Sequence, residues 1–210
     1  MAVQDWDGHY AQGFMPWDSP TPDPSLVDFV AGRGLPRGRA LDVGCGTGTH
    51  AMWLAEQGFD VLGVDISEHA VARARARTTG TGRARSVRFE VLDFLGGEPL
   101  GGPFDLVFDR GLFHVFDAAD ERERFAARVA QCLAPSGIWL SLLGSTEGPA
   151  RDQGPPRRSA RDIVNAVEPV LEIVELREDH FDRDGPAPTR AWRCVSRVRA
   201  MPAQPSTGRG

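Results

Sequence analysis

Short apolar runs alternate with amphipathic stretches through most of this chain, and clusters of Gly, Pro and polar residues separate them. Continuous apolar runs are typical of buried strands, whereas apolar residues spaced three and four positions apart predict helices. On this basis the sequence predicts strands at 39–43, 61–65, 87–91, 104–108 and 138–143. It predicts helices at 24–31, 49–57, 68–77, 118–133 and 160–168.

The regular alternation of strand and helix predicts a parallel sheet with helices on both of its faces. Residues 144–158 have no periodicity, and their Gly and Pro content predicts a long loop. Beyond this loop, strands predicted at 171–176 and 189–199 have no helix between them, which favours an antiparallel pair. The predicted fold class is therefore α/β: a Rossmann-like, doubly wound, mostly parallel seven-stranded sheet with a C-terminal antiparallel hairpin.

The chain has room for one main domain with an arm in front of it. A sequence of 210 residues, 41% of them hydrophobic, can bury one core, and we expect that domain at 26–200. Residues 1–25 are rich in aromatic residues and proline, and they either pack permanently on the core or close over a ligand as a lid. Residues 201–210 are predicted to form a flexible tail.

The charge balance limits the classes of molecule that the protein is expected to bind. All 24 basic residues are arginine, and with 29 acidic residues the net charge is −5 at pH 7. This balance argues against nucleic-acid binding, and the absence of lysine excludes Schiff-base and P-loop chemistry. No apolar run approaches the roughly 20 residues of a membrane helix, and the N-terminus does not resemble a signal peptide. We therefore expect a cytoplasmic monomer or homodimer that binds a small molecule but no nucleic acid and no membrane.

The cysteines do not indicate a metal site. Cys45, Cys132 and Cys194 lie far apart and are odd in number, so they fit neither a zinc site nor a disulfide framework. Small buried side chains are the ordinary role of such cysteines, and no metal is expected.

A glycine-rich turn between the first predicted strand and the next helix is the strongest functional signal. Gly44, Gly46 and Gly48 let the backbone turn tightly and approach a ligand, because no Cβ intervenes. The turn directs free N–H groups and the positive end of the following helix toward that ligand. Asp65 ends the second strand within the roughly 20-residue interval typical of a ribose-binding acid. Together these features predict a nucleoside-binding site.

Three segments extend this prediction. Residues 41–48, with Asp42 in the strand end, resemble the first signature of class I S-adenosylmethionine-dependent methyltransferases, and 63–67 and 91–94 resemble the second and third. The resemblance implies S-adenosylmethionine as cofactor, with Asp65 binding the ribose hydroxyls. The residues that it implies around the methionine half are Asp42, Gly44, Cys45, Gly46 and Gly48, and around the adenine they are Ile66, Asp93 and Phe94.

The arm and the fourth strand resemble a narrower group. Residues 10–28 are similar to the N-terminal arm of small-molecule methyltransferases, which implies that Trp17 lies over the cofactor. Residues 108–114 look like the Asp-Arg-Gly segment of thiopurine and related thiol methyltransferases. In that comparison Arg110 faces the substrate or the cofactor, or else pairs with Asp109 as scaffolding. His114 is a candidate general base, or else it packs near the cofactor.

The resulting hypothesis is S-adenosylmethionine-dependent methylation of a small molecule, most simply a thiol, in secondary metabolism or detoxification. A thiol of pKa about 8.5 is partly ionised at neutral pH, and the sequence shows no unambiguous base. Methylation at oxygen or nitrogen of a small aromatic or heterocyclic acceptor stays open, as does a non-catalytic relative that only binds the nucleoside. A nicotinamide-dependent oxidoreductase is disfavoured, because Thr49 stands where that fingerprint requires a small residue.

Overall fold

A seven-stranded sheet with strand order β3-β2-β1-β4-β5-β7-β6 forms the centre of the computed structural model, which describes residues 5–79, 86–97, 100–149, 154–185 and 188–199. Strands β1 to β5 are parallel, whereas β7 is antiparallel to both β5 and β6. The predicted fold class is confirmed. The strands are β1 Arg39–Val43, β2 Asp60–Asp65, β3 Val87–Val91, β4 Phe104–Arg110, β5 Leu133–Gly144, β6 Glu172–Phe181 and β7 Thr189–Arg197.

The helices begin where the capping residues predict. Ser67 accepts the N–H of Ala70 at the start of one helix, and Ser159 forms a capping box with Asp162 at the start of another. A short 3₁₀ turn, Phe113–Val115, follows β4. The α-helices are α1 Trp6–Gln12, α2 Pro24–Arg33, α3 Thr49–Glu56, α4 Glu68–Thr78, α5 Ala119–Cys132 and α6 Ala160–Val167.

Both faces of the central strands β1, β4 and β5 are largely buried, and successive side chains of each strand point to opposite sides. In β4, Phe108 belongs to a core shared with α2, α3 and α4, whereas Val107 belongs to a second core shared with α5 and α6. The carboxyl ends of β1, β2 and β4 therefore meet at one edge of a rigid sheet.

Three elements differ from the prediction. The arm contains a helix, α1, capped by the Asp5 carboxylate, which accepts the N–H of Gly8. Strand β5 begins at Leu133, and a register shift opposite β4 accommodates Pro135, as bulges do. Strand β6 continues to Phe181, because its polar second half pairs with β7 at the sheet edge. The predicted tail, 201–210, and residues 150–153 of the predicted loop lie outside the described residues.

In the part of the chain that the structure describes, no helix is both long enough and apolar enough to cross a membrane.

Candidate active site

A cleft of about 390 Å³, its open mouth included, lies at the carboxyl ends of β1 and β4. Its floor is the glycine turn, its roof is the N-terminal arm, and Arg110 of β4 and His50 of α3 form its side. In open α/β sheets this edge is where ligands bind. The predicted site residues that line the cleft are Trp17, Asp42, Gly44, Cys45, Gly46 and Arg110. Those that do not line it are Gly48, Asp65, Ile66, Asp93, Phe94 and His114.

The three glycines of the turn all have positive φ angles, which other residues adopt only with strain: +72° at Gly44, +53° at Gly46 and +84° at Gly48. They are also sites of close approach. A Cβ on Gly46 would lie 2.7 Å from the Tyr10 hydroxyl, and one on Gly48 would lie 2.6 Å from the ring of Phe89. Glycine is therefore required here both for the backbone conformation and for space.

Two buried carboxylates flank the turn. Asp65 accepts the N–H of Gly46 at 2.9 Å and that of Ser67 at 3.0 Å, and burial raises its pKa above the ordinary value. Asp42 is 2% exposed, and its Oδ2 has no hydrogen-bond partner. Burial raises the pKa of Asp42 to about 8, against the opposing effect of the Ala51 N–H. An uncompensated buried carboxyl oxygen is costly, so Asp42 is suited to a cationic ligand.

The predicted adenine residues lie at the ends of β2 and β3, beyond the enclosed part of the cleft. Ile66 is 49% exposed, and the Asp93 carboxylate accepts the N–H of Leu95 at 3.0 Å. The Phe94 side chain is buried against Phe125, with ring centroids 4.9 Å apart. The buried side chain of Phe94 is therefore not available to a ligand, and the role of its backbone N–H stays a prediction.

Arg110 is held on three sides. Its Nε donates to Asp23 at 2.8 Å, and its two terminal nitrogens donate to the Trp17 carbonyl at 3.2 Å and to Asp182 at 2.9 Å. The guanidinium also lies 4.9 Å from the ring centre of Phe181. Arg110 thus ties the arm to the C-terminal hairpin while it lines the cleft.

The alternative pairing of Arg110 with Asp109 is wrong. The Asp109 carboxylate turns to the opposite face of the sheet, where it accepts the N–H of Phe113 at 3.1 Å and the indole N–H of Trp139 at 2.9 Å. Burial raises the pKa of Asp109 to about 6.

His114 is buried beside the cleft but does not line it. Its Nδ1 accepts the backbone N–H of Gly144 at 2.8 Å, so a neutral ring carries its proton on Nε2. The imidazole packs edge-on against Phe181 at a centroid distance of 5.9 Å. To accept a further proton, His114 would have to give up its bond to Gly144.

The arm is anchored directly to the glycine turn. The Thr47 hydroxyl donates to the Asp18 carboxylate at 3.0 Å, and the Thr49 hydroxyl donates to the Ser19 carbonyl at 2.8 Å. The indole N–H of Trp17 donates to the Tyr10 hydroxyl at 3.0 Å. These contacts place Trp17 and Tyr10 in the roof of the cleft.

Sequence reasoning missed His50, which follows the turn by two residues. Its Nε2 is buried without a hydrogen-bond partner, and its ring lies 5.2 Å from that of Phe108. Burial and the positive charge of Arg110 lower the pKa of His50 to about 3. A lone histidine at the start of a helix gives little indication of a functional role in the sequence. Only the structure shows that His50 lines the cleft.

No group of three or more His, Cys, Asp or Glu residues within the described ranges is arranged to hold a metal ion. Cys45, Cys132 and Cys194 are all buried free thiols.

Comparison with solved structures defines the class of fold. A structure from work on the conversion of a disulfide bond into a thioacetal group during echinomycin biosynthesis superimposes with a TM-score of 0.73 at 28% identity, covering 87% of this chain and 84% of that one. Magnesium protoporphyrin IX methyltransferase of Synechocystis PCC 6803, with bound S-adenosylmethionine, gives 0.65 at 19% identity, covering 84% of this chain and 76% of that one. The chain has the α/β fold of such methyltransferases.

Comparison of the sequence with known families and proteins identifies the family within this class. Residues 1–199 match thiopurine S-methyltransferase, and the chain belongs to that family. A curated relative from Arabidopsis thaliana, "Probable thiol methyltransferase 2", is 34% identical over 151 residues, or 72% of this chain. The match spans 65% of that relative, slightly less than two thirds of its length.

Proposed function

We propose that this protein transfers a methyl group from S-adenosylmethionine to the sulfur of a small thiol. The observation that carries the proposal is the unpartnered Asp42 oxygen beside the glycine turn, in a chain of the thiopurine S-methyltransferase family. A buried acid with a raised pKa in a cleft is typical of a functional site. Together the acid and the turn fit a ligand that carries both a positive charge and a nucleoside.

Residues of this chain fit each part of the cofactor. A carboxylate has about four acceptor positions, so Asp65 can hold the Gly46 and Ser67 amides and still accept the ribose hydroxyls. Asp42 receives the ammonium group, whose charge favours the ionised acid. At the ends of β2 and β3, Ile66 covers the adenine, Asp93 accepts from its amino group, and Phe94 presents a backbone N–H.

When bound, S-adenosylmethionine supplies a methyl group attached to a positively charged sulfur. The protein contributes alignment, which is worth on the order of 7–11 kcal/mol for well-oriented reactants, and exclusion of water. Tyr10 and Trp17 close the roof over the glycine turn, and we assign the arm as a lid on that basis. Arg110 fixes the arm against the hairpin, so it shapes the cleft and supplies positive charge.

The hydrogen bonding of His114 favours a methyl acceptor that loses its proton readily. Its Nδ1 is occupied by Gly144, so His114 is not poised to remove a proton, and we assign it a packing role. A thiol needs less help than a phenol of pKa about 10.

Two measurements test this function. Calorimetric titration should show binding of S-adenosylhomocysteine and none of NAD. Turnover with labelled methyl donor should be fastest with thiols in a panel of thiols, phenols and amines. Faster turnover of phenols or amines would refute the thiol assignment, and S-adenosylhomocysteine binding without any turnover would favour a sensor.

A further inference from the structure

Most polar groups that line the cleft are bonded within the protein. Tyr10 accepts from Trp17, Asp18 accepts from Thr47, and Arg110 donates to three oxygens. Two buried side-chain atoms among the described lining residues have no partner, namely Asp42 Oδ2 and His50 Nε2. Because such groups are costly when unpaired, these two are the positions that a bound ligand satisfies.

The two atoms lie at different places along the sheet edge. Asp42 is the penultimate residue of β1, which pairs with β2, the strand that ends in the ribose acid Asp65. The His50 ring packs against Phe108 of β4, the strand on the other side of β1. In the proposed function the ribose lies at β2 and the methionine half at β1, so the strand order β2, β1, β4 leaves the position at β4 for the methyl acceptor. His50 therefore belongs to the acceptor end.

We propose that His50, as a neutral ring with its proton on Nε2, donates a hydrogen bond to the sulfur of the methyl acceptor and that the acceptor binds as a thiolate anion. This inference rests on the proposed function. The thiol gives its proton to solvent, and the thiolate lone pair forms the new sulfur–carbon bond. The methyl group's bond to the donor sulfur breaks, and that electron pair stays on S-adenosylhomocysteine. His50 keeps its proton throughout.

The electrostatics favour a donor over a base at this position. With a pKa of about 3, His50 is neutral and does not hold a proton taken from a thiol of pKa about 8.5. Arg110 donates one N–H from each of its three nitrogens to protein oxygens, and its positive charge reaches His50 and favours an anion there. The other titratable groups lining the cleft are Tyr10, Asp18, Asp42 and Cys45. Burial keeps the phenol and the thiol protonated, and the cofactor ammonium neutralises Asp42.

Two substitutions separate hydrogen bonding from shape. His50→Leu removes the donor, whereas His50→Gln keeps an N–H near the position of Nε2. His180→Leu, on the edge strand β6, is the control for loss of an imidazole away from the cleft. The readouts are kcat/KM for thiols, the pH dependence of kcat, the Kd of S-adenosylhomocysteine, and the Kd of 4-nitrothiophenolate for the protein–S-adenosylhomocysteine complex, followed by its visible absorbance.

His50→Leu should lower kcat/KM and weaken 4-nitrothiophenolate binding by about 10–100-fold, the range for a hydrogen bond to a charged group. The pH profile of kcat reports groups in the bound complex, so it should shift to higher pH in His50→Leu, which lacks the donor that stabilises the bound thiolate. This shift should disappear in His50→Gln, which recovers most of the loss. S-adenosylhomocysteine should bind all three variants as it binds the wild type. A matching loss of S-adenosylhomocysteine affinity would place His50 on the cofactor, and unchanged thiolate binding in His50→Leu would overturn the inference.

These outcomes are distinct from failure of the proposed function. If the wild type turns over thiols but His50→Leu does so equally well, the role of His50 is wrong and thiol methylation stands. If the wild type turns over no thiol and does not bind 4-nitrothiophenolate, both fail. Equal losses in His50→Leu and His50→Gln with no change of pH profile would show that ring shape matters and the donor does not.

Discussion

The proposed function assigns a nucleoside end and an acceptor end to the site, and these two ends are built in different ways. At the nucleoside end, Asp42, the glycine turn and Asp65 lie within 24 residues of sequence, and Asp65 bonds to Gly46 across a separation of 19 positions. At the acceptor end, Arg110 joins groups 72 to 93 positions away, namely Trp17, Asp23 and Asp182. The acids and glycines of the first end form a local motif, to which Thr47 and Thr49 anchor the arm. The second depends on three distant segments packing together.

If this contrast is right, the largest effect on folding should come from Arg110. Arg110→Met leaves Asp23, whose side chain is 0% exposed, as an uncompensated buried charge. We expect a loss of about 3–5 kcal/mol in the free energy of unfolding, measured by denaturant titration.

Arg124→Met is the matched control, because it breaks an exposed i,i+4 pair with Asp120 and should cost less than about 1 kcal/mol. Equal losses in the two variants would mean that Arg110 does not hold the acceptor end together.

Asp65→Ala at the nucleoside end should differ from Arg110→Met, because it should weaken ligand binding more than it lowers the stability of the fold. Loss of hydrogen bonds to a charged group predicts S-adenosylhomocysteine binding weaker by about 1.5–3 kcal/mol, or roughly 10- to 150-fold. Stability should fall modestly, because the Gly46 and Ser67 amides lose their acceptor. Calorimetry that gives the wild-type Kd would show that the ribose lies elsewhere.

The sequence predicted the arrangement of the turn and its two acids because the residues that define it are close together in the chain. Glycines with positive φ, an acid in the strand end and a second acid one strand later are visible without a structure. The partners of Arg110 could not be predicted, because nothing in residues 108–114 indicates Asp23 or Asp182. The same reason explains the unpredicted half of β6, whose polar residues become a strand only beside β7.

Asp42 makes the nucleoside end dependent on pH. Its pKa is about 8 in the free protein, and the ligand ammonium favours the ionised acid. S-adenosylhomocysteine affinity should therefore rise by up to about tenfold per pH unit between pH 5.5 and 7, where the ligand amine stays protonated. Asp42→Asn should bind more weakly and lose this slope.

The stability of the ligand-free protein should fall with rising pH, whereas the affinity for S-adenosylhomocysteine rises. An acid whose pKa is raised by folding stabilises the protein fully below its unfolded pKa of about 4, and this contribution is lost as the pH rises toward 8. The Tm of Asp42→Asn should therefore fall less between pH 4 and 8 than the Tm of the wild type does. Parallel curves for the two proteins would mean that Asp42 is ionised in the free protein.

His114 tests whether the acceptor end contains a base. His114→Ala leaves the Gly144 N–H unpaired, which should cost about 1–3 kcal/mol of stability, and His114→Asn should recover part of it by accepting that N–H. Turnover should fall by less than the roughly 100-fold expected for a true general base. A larger fall at unchanged cofactor affinity, most severe at low pH, would make His114 the base.

The smallest effect should come from the contact that joins the arm to the turn. Asp18→Ala removes the acceptor of the Thr47 hydroxyl, and a lost hydrogen bond of about 0.5–1.5 kcal/mol predicts S-adenosylhomocysteine binding weaker by roughly 2- to 10-fold. If the arm is a lid, amide exchange in residues 5–20 should slow when S-adenosylhomocysteine binds the wild type, and slow less in the variant. Exchange that is equally slow with and without ligand would identify the arm as permanent packing. The acceptor end would then be preformed like the nucleoside end, and the contrast between them would lie in sequence distance alone.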